Sequence, residues 1–230
     1  RKLSEVSTRV DLPSVHLPSQ QSRDRKALCN SRQVLVEART KLTNHVRGHL
    51  RRNALTVPIR SRNFTAHVRA KLLLQPEGVP AHIEWILQSI EQVSEQLECA
   101  EQALQAIAMQ DSTCQQMMTV PGVGPIISSA MVAAIGTGDA FAKGRDFGAW
   151  LGLVPKQIST GDRTILGSIS KRGNRYLRAL FVQAAWVVLV KVGPKHWERY
   201  GLKSWIETAK KRLHHNVLAI ALANKLARIA

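Results

Sequence analysis

The stretch IEWILQSIEQVSEQLECAEQALQAI, residues 83–107, decides the fold. Its apolar residues Ile83, Ile86, Ile90, Val93, Leu97, Ala100, Leu104 and Ile107 step alternately by three and four, which is the a/d seam of a coiled-coil helix. Glu84, Glu91 and Glu98 recur at heptad spacing beside that seam, and Pro80 stands where a first helical turn tolerates proline. The segment 77–112 around it holds 7 acidic side chains and neither Lys nor Arg. Such a segment, set between basic regions, is expected to face the basic part of its own fold or water, and not a phosphate backbone.

A partner helix lies upstream. Residues 23–52 place Leu28, Leu35 and Leu42 on one stripe and Arg25, Arg32 and Arg39 at the same seven-residue spacing. The two helices are complementary in charge. They pair either within one chain, as a helical hairpin joined by residues 53–78 with Pro58 and Pro76, or between chains as a dimer, and the sequence leaves both open.

The chain has 230 residues, with 33 Lys and Arg against 16 Asp and Glu, for a formal charge of +17, and is 44% hydrophobic. That apolar content excludes a mostly disordered chain, and the charge calls for a polyanionic partner. Residues 1–76 carry 16 basic and 4 acidic side chains and residues 113–230 carry 17 and 5, so each region is net +12. A membrane partner is disfavoured because the longest uncharged run of the apolar region, residues 179–190, is short of the roughly 20 residues a spanning helix needs. Residues 1–12 lack the apolar core of a signal peptide. Cys29, Cys99 and Cys114 are odd in number and lack the close pairing of a zinc finger, which predicts reduced thiols in a cytoplasmic protein. Val15-His16-Leu17-Pro18 reads as a short strand that cannot be stable alone, so a sheet is expected to precede it. With no starting Met, the chain is expected to be a piece of a longer one.

The C-terminal half carries the chemistry. Residues 113–120, the turn Pro121-Gly122-Val123-Gly124-Pro125 and residues 126–135 predict a helix-hairpin-helix. There Gly122 and Gly124 would let the backbone approach a phosphate, with the second helix presenting its positive dipole end. A plain corner between two helices is the other reading of the same residues. FGAWLGL, residues 147–153, predicts a short apolar helix with Trp150 in the core. Residues 155–163 read as a polar loop containing Ser159 and Thr160. Ser170 is placed to cap a helix carrying Lys171, Arg175 and Arg178 on one face, with Arg172 beside them. Cations next to an exposed serine loop suit phosphodiester chemistry, although Ser-Thr-Gly is also ordinary turn composition. Residues 177–192 and 213–229 predict two core helices around a linker with Gly193-Pro194 and Gly201. His214 and His215 have no carboxylate or Cys partner nearby, so a basic surface and no metal site is predicted there.

The runs MMTVPGVGPIISSAMVAAIG (117–136) and FGAWLGLVPKQISTGDRTILGSISKRGNRYLRALFVQAAW (147–186) resemble the C-terminal domain of bacterial transposases of the insertion sequence 110/116/902 type. RQVLVEARTKLTNHVRGHL (32–50) resembles the segment after that family's catalytic core. The resemblance implies DNA transposition guided by a noncoding RNA, with a serine nucleophile that attaches covalently to DNA. The nucleophile maps onto Ser159, with Thr160 as the neighbouring hydroxyl. Gly122, Gly124, Lys171, Arg172, Arg175 and Arg178 become the expected nucleic-acid contacts. It also implies a RuvC-like domain with a DEDD set of acids binding Mg²⁺. The D-x-x-D-A motif of that set is not found here, and Asp11 and Asp24 do not fit it.

The expected architecture is therefore mainly α. Residues 1–22 are a remnant of a RuvC-like α/β domain, 23–112 a coiled-coil helical region, and 113–230 an all-α domain with a helix-hairpin-helix. DNA, a guide RNA and a second copy joined through the coiled coil are the expected partners, and no metal is expected to bind this piece, which is expected to be inactive alone. A non-enzymatic nucleic-acid-binding protein remains the alternative, and a Holliday-junction accessory protein is disfavoured because only one helix-hairpin-helix is found.

Overall fold

The fold, a computed structural model, is described for residues 19–58, 63–136, 138–161 and 163–230. The strand read at residues 15–18, and Asp11 with it, lie outside the described residues. Among those described, the elements run α1 (Gln20–Arg52), α2 (Phe64–Leu73), α3 (Ala81–Gln110), α4 (Ser112–Met117), α5 (Pro125–Ile135) and α6 (Gly144–Trp150). They continue as β1 (Pro155–Thr160), β2 (Arg163–Ile169), α7 (Arg175–Val187), α8 (Pro194–Trp197), α9 (Lys203–Lys210) and α10 (His215–Ile229). The protein is mainly helical, with one two-stranded antiparallel sheet.

Ser19 starts α1 by accepting a hydrogen bond from the Ser22 amide at 3.1 Å, and His49, Arg51 and Arg52 in the last turn match the negative end of the helix dipole. The helix packs along α3, so the pairing that sequence left open is made within one chain. The seam is shifted from the one read in the sequence. Ile83, Ile90, Leu97 and Leu104 are buried as expected, but Leu87 and Ala108 are buried where Ile86 and Ile107 are only half-buried. The two alternatives differ by one residue, and packing against α1 and α2 selects between them.

The acidic face of α3 meets arginines. Arg32 donates to Glu101 at 2.6 Å, and Arg69 in α2 reaches Glu84 at 2.7 Å and Glu91 at 2.5 Å. The connection read between residues 53 and 78 thus contains a helix, α2, which that clamp and the buried Val68 and Leu72 seat on α3. Asp111 ends α3 and caps α4. Its Oδ1 accepts from the Thr113 and Cys114 amides at 2.9 and 3.2 Å, while Oδ2 pairs with the buried Arg25 at 2.8 Å. Burial works against the Asp111 carboxylate, but Arg25 and those two amides outweigh it and hold its pKa low.

Two cores result. Val46, Leu50, Val68, Leu72, Ile83 and Leu87 fill the far end of the helical hairpin. The near end, through Cys29 and Leu104, joins the larger core of the C-terminal helices around Phe147, Leu177, Phe181 and Leu222. Burial raises the Cys29 thiol to about 11, so it stays protonated, and all three cysteines are free. The linker read around Gly193 and Gly201 holds α8 and α9 and a large core residue. Trp197 is buried and donates from Nε1 to the Val188 carbonyl at 2.9 Å, in a π turn that continues α7 through Val192. No single helix among the described residues is long and apolar enough to cross a membrane.

Candidate functional site

Of the predicted site residues, Lys171 and Arg172 belong to an interlocked stretch of backbone, Arg175 and Arg178 follow it, Ser159 lies out on β1, and Gly122 and Gly124 are in the turn before α5. After α6 the chain turns at Gly152, at φ +72°, and after β2 it turns at Gly173, at φ +96°. A Cβ on Gly152 would overlap the Arg172 carbonyl oxygen, and one on Gly173 would overlap the Trp150 carbonyl oxygen. Only glycine permits this close approach. Two hydrogen bonds complete the clamp, from the Ser170 amide to the Val154 carbonyl (2.8 Å) and from the Lys171 amide to the Gly152 carbonyl (3.1 Å).

From this clamp β1 and β2 project as a ribbon, exposed along its length apart from the half-buried Ile169. The polar loop read at residues 155–163 is thus half of a β-hairpin. Ile158 pairs with Ile165 and Thr160 with Arg163, and β-branched pairs of this kind suit a strand better than a loop. Gly161 supplies the positive φ, +58°, at the connection. Ser159 lies opposite Thr164, and its Oγ accepts from the Gln157 side chain at 2.8 Å. Among the described residues no carboxylate or imidazole hydrogen-bonds to that hydroxyl.

The helix expected to be capped by Ser170 starts four residues later. Asn174 caps it, accepting from the Leu177 amide at 3.0 Å, because Lys171 (φ +54°) and Gly173 hold conformations that no α-helix allows. Lys171 therefore lies outside the helix and does not share its face with Arg175 and Arg178. Lys171, Arg172 and Arg175 are exposed. Arg178 is half-buried and donates to the Leu151 carbonyl at 2.8 Å, so it ties α7 to the turn after α6. The Gly173-Asn174 pair before an apolar run was the sequence signal for this start. Trp150, read as core, is 37% exposed and stacks on Phe147 with ring centroids 5.9 Å apart.

The turn between α4 and α5 packs inward. Gly122 has φ +81°, and a Cβ there would come within 2.7 Å of the Ala184 carbonyl oxygen of α7. Close approach to the chain's own helix thus accounts for this glycine. Gly124 caps α5 with open space around it. Residues 112–142 contain no Lys or Arg, so a phosphate at this tip would meet backbone amides without a local cation. Sequence reading missed Lys156 and Arg163, exposed on the ribbon, and a groove at its base. That groove, about 750 Å³, is lined by Val154, Ile169 and Val217 with Arg145, Lys171 and Arg228. Among the described residues no three His, Cys, Asp or Glu stand together to hold a metal, so the DEDD-type Mg²⁺ site that the resemblance implies does not fit these residues.

Residues 114–201 match the model of the transposase IS116/IS110/IS902 family. The chain is 36% identical over 99% of its length to a probable family 20 transposase of Pseudomonas aeruginosa, covering 68% of that protein. It belongs to the IS116/IS110/IS902 transposase family. It is also 35% identical over 95% of its length to the transposase for insertion sequence element IS1328 of Yersinia enterocolitica, and 30% identical over 99% to that for IS1111A of Coxiella burnetii. It spans 66% and 63% of those two proteins, about two thirds of the curated relatives it matches. The family's matched segment contains the interlocked glycines, the ribbon and all of α7.

Proposed function

We propose that this chain is the serine-bearing, DNA-binding part of a transposase that cleaves and rejoins DNA through a serine–DNA intermediate, with a noncoding RNA as guide. The observation that carries this reading is the exposed ribbon that holds Ser159 near its outer turn and projects from a clamp bearing Lys171 and Arg172 before α7. A nucleophile for a phosphodiester must stand clear of its own fold, because the substrate is a polymer that cannot enter a closed pocket. The ribbon provides that access, Arg163 opposite Thr160 is the cation nearest Ser159 along it, and Lys171, Arg172 and Arg175 at its base supply charge to hold the neighbouring phosphates of the strand. Arg178 acts indirectly, by fixing α7 against the turn after α6.

Ser159 attacks phosphorus through Oγ, which forms the new O–P bond as the 3′ or 5′ oxygen of the cut strand leaves. A serine hydroxyl needs a base or a metal to lose its proton at neutral pH. In this proposal that group comes from the RuvC-like acids of the longer family member, so this chain binds DNA but does not complete the reaction alone. Gly122 and Gly124 remain in the proposal as a backbone contact to phosphate, and a second copy remains an expected partner, held by a surface other than the α3 seam that α1 of the same chain fills.

The test supplies the full-length transposase with its guide RNA and follows covalent protein–DNA adduct on denaturing gels. Ser159→Ala is expected to abolish the adduct with binding retained, and Thr160→Ala to leave it. Full adduct in Ser159→Ala would make the ribbon a binding element only, which is the non-enzymatic alternative.

A further inference from the structure

Two groups of cations stand at the two ends of α7. Lys171, Arg172 and Arg175 occupy its N-terminal end. At the other end, the turn from α9 into α10 carries Lys210, Lys211, Arg212, His214 and His215, all exposed. Its position is fixed by contact, because the His215 ring lies 5.9 Å from the ring of Trp186 in the last turn of α7. Lys210 sits over Trp197 at 4.5 Å, which leaves Lys211 and Arg212 as the outward charges, with Glu207 as the one carboxylate of α9.

Between the two groups α7 turns a plain face to solvent. Its exposed positions are Arg175, Ala179 and Gln183, one turn apart, and Val190 continues them in the π turn. Residues 163–197 contain no Asp or Glu, so nothing on that path repels a polyanion. At about 1.5 Å per residue, Arg175 and Trp186 are roughly 17 Å apart along the helix. The major groove of B-DNA is about 12 Å wide, so cations set this far apart reach phosphates on both rims while the small residues between them face the groove. A-form RNA has a deep, narrow major groove that refuses a helix.

We infer that α7 lies over the major groove of a DNA duplex, with Lys171, Arg172 and Arg175 on one rim and the α9–α10 turn, through Lys211 and Arg212, on the other. This rests on the reading of the chain as DNA-binding. It adds a second contact site and assigns the helix between the two.

The experiment measures binding of this chain to a 20-base-pair duplex by fluorescence anisotropy at several salt concentrations. Lys211→Glu with Arg212→Glu is expected to weaken binding at least tenfold near 100 mM salt. A neutral pair, Lys211→Gln with Arg212→Gln, reads the contact without adding repulsion and guards against a charge-reversed protein that fails to fold. It should lower the slope of log affinity against log salt by about 1.8, two phosphates at ~0.9 each. Ala179→Glu, which places a carboxylate on the plain face, should weaken binding comparably. Unchanged binding in either the 211/212 variants or Ala179→Glu, with melting unaltered, overturns the groove assignment while the DNA-binding reading stands. An equal loss on an RNA duplex of the same sequence also overturns it, and failure of the unaltered chain to bind the DNA duplex overturns both.

Discussion

In the helical hairpin Arg25, Arg32 and Arg69 each end on a carboxylate of α3 or of its C-terminal cap, whereas Lys156, Arg163, Lys171, Arg172 and Arg175 around the ribbon make no ion pair among the described residues. Both regions are net basic by sequence outside the acidic stretch, but three arginines of the hairpin are held in ion pairs, while Arg23, Lys26, Arg39, Lys41, Arg51 and Arg52 of α1 are exposed as the ribbon cations are. Residues 77–112 account for the pairing of Arg25, Arg32 and Arg69, and no comparable acidic block faces the ribbon. The paired cations of the first region hold the fold, and those around the ribbon are available to a polyanion.

The largest expected effect breaks the first region. Asp111→Ala leaves the Arg25 guanidinium buried without its partner and removes the cap of α4, so it should cost about 3–5 kcal/mol in urea unfolding. Lys171→Glu, on an exposed side chain, should stay within about 0.5 kcal/mol. Comparable costs for the two would erase the distinction between structural and presented charge.

Next in size is the register of α3. Leu97→Ala should cost about 2–5 kcal/mol because Leu97 is buried at 3% exposure, and the half-buried Val93→Ala should cost clearly less. Equal losses would restore the seam as the sequence alone drew it. A strict three-four pattern identifies a helix and its buried side, but Ile86 and Leu87 are both apolar and flank the same contact. Only tertiary packing, in a core with Val46 and Leu50 of α1 and Val68 and Leu72 of α2, chooses Leu87.

The site was legible in kind and less so in shape. Ser159, Lys171, Arg172 and Arg175 were named from sequence and are exposed on the ribbon or at its base, since polar and charged residues between apolar runs seldom fold inward. The ribbon was missed because Ser, Thr and Gly dominate residues 159–161, and their turn chemistry masks the Ile158–Ile165 and Thr160–Arg163 pairs. The start of α7 was misplaced because Ser170 offers a cap by composition, while the reason against it, contact of Gly152 and Gly173 with backbone some twenty residues away, is tertiary. The helix α2 was missed for a similar reason: its position depends on Arg69 meeting Glu84 and Glu91.

Binding separates the regions more finely. Arg172→Gln and Arg175→Gln should each lower the salt slope of duplex binding by about 0.9 without loss of stability. Arg32→Gln should leave the slope unchanged while lowering the melting temperature. A slope change for Arg32 would mean that its pairing with Glu101 does not withhold it from the nucleic acid.

The smallest effect concerns the clamp of α2. Hydrogen bonds from Arg69 hold the Glu84 and Glu91 carboxyls below their usual range. A carboxyl whose native pKa is depressed adds stability that is complete above its unfolded value of about 4.3 and is lost as pH falls through the lowered native value. The clamp should therefore contribute at pH 7 and fade below about pH 4. With side chains 29% to 41% exposed, it is a partly solvated pair, and about 0.2–1 kcal/mol is the expected scale. Arg69→Met keeps most of the volume and removes the charge. Asp111 titrates in both proteins, so its own acid sensitivity cancels in the difference between them. The unaltered chain should exceed Arg69→Met in stability at pH 7, with the gap closing as the pH is taken towards 3. A gap that is constant with pH would mean that Arg69 holds α2 through packing, and that charge pairing in the helical region is carried by Arg25 and Arg32 alone.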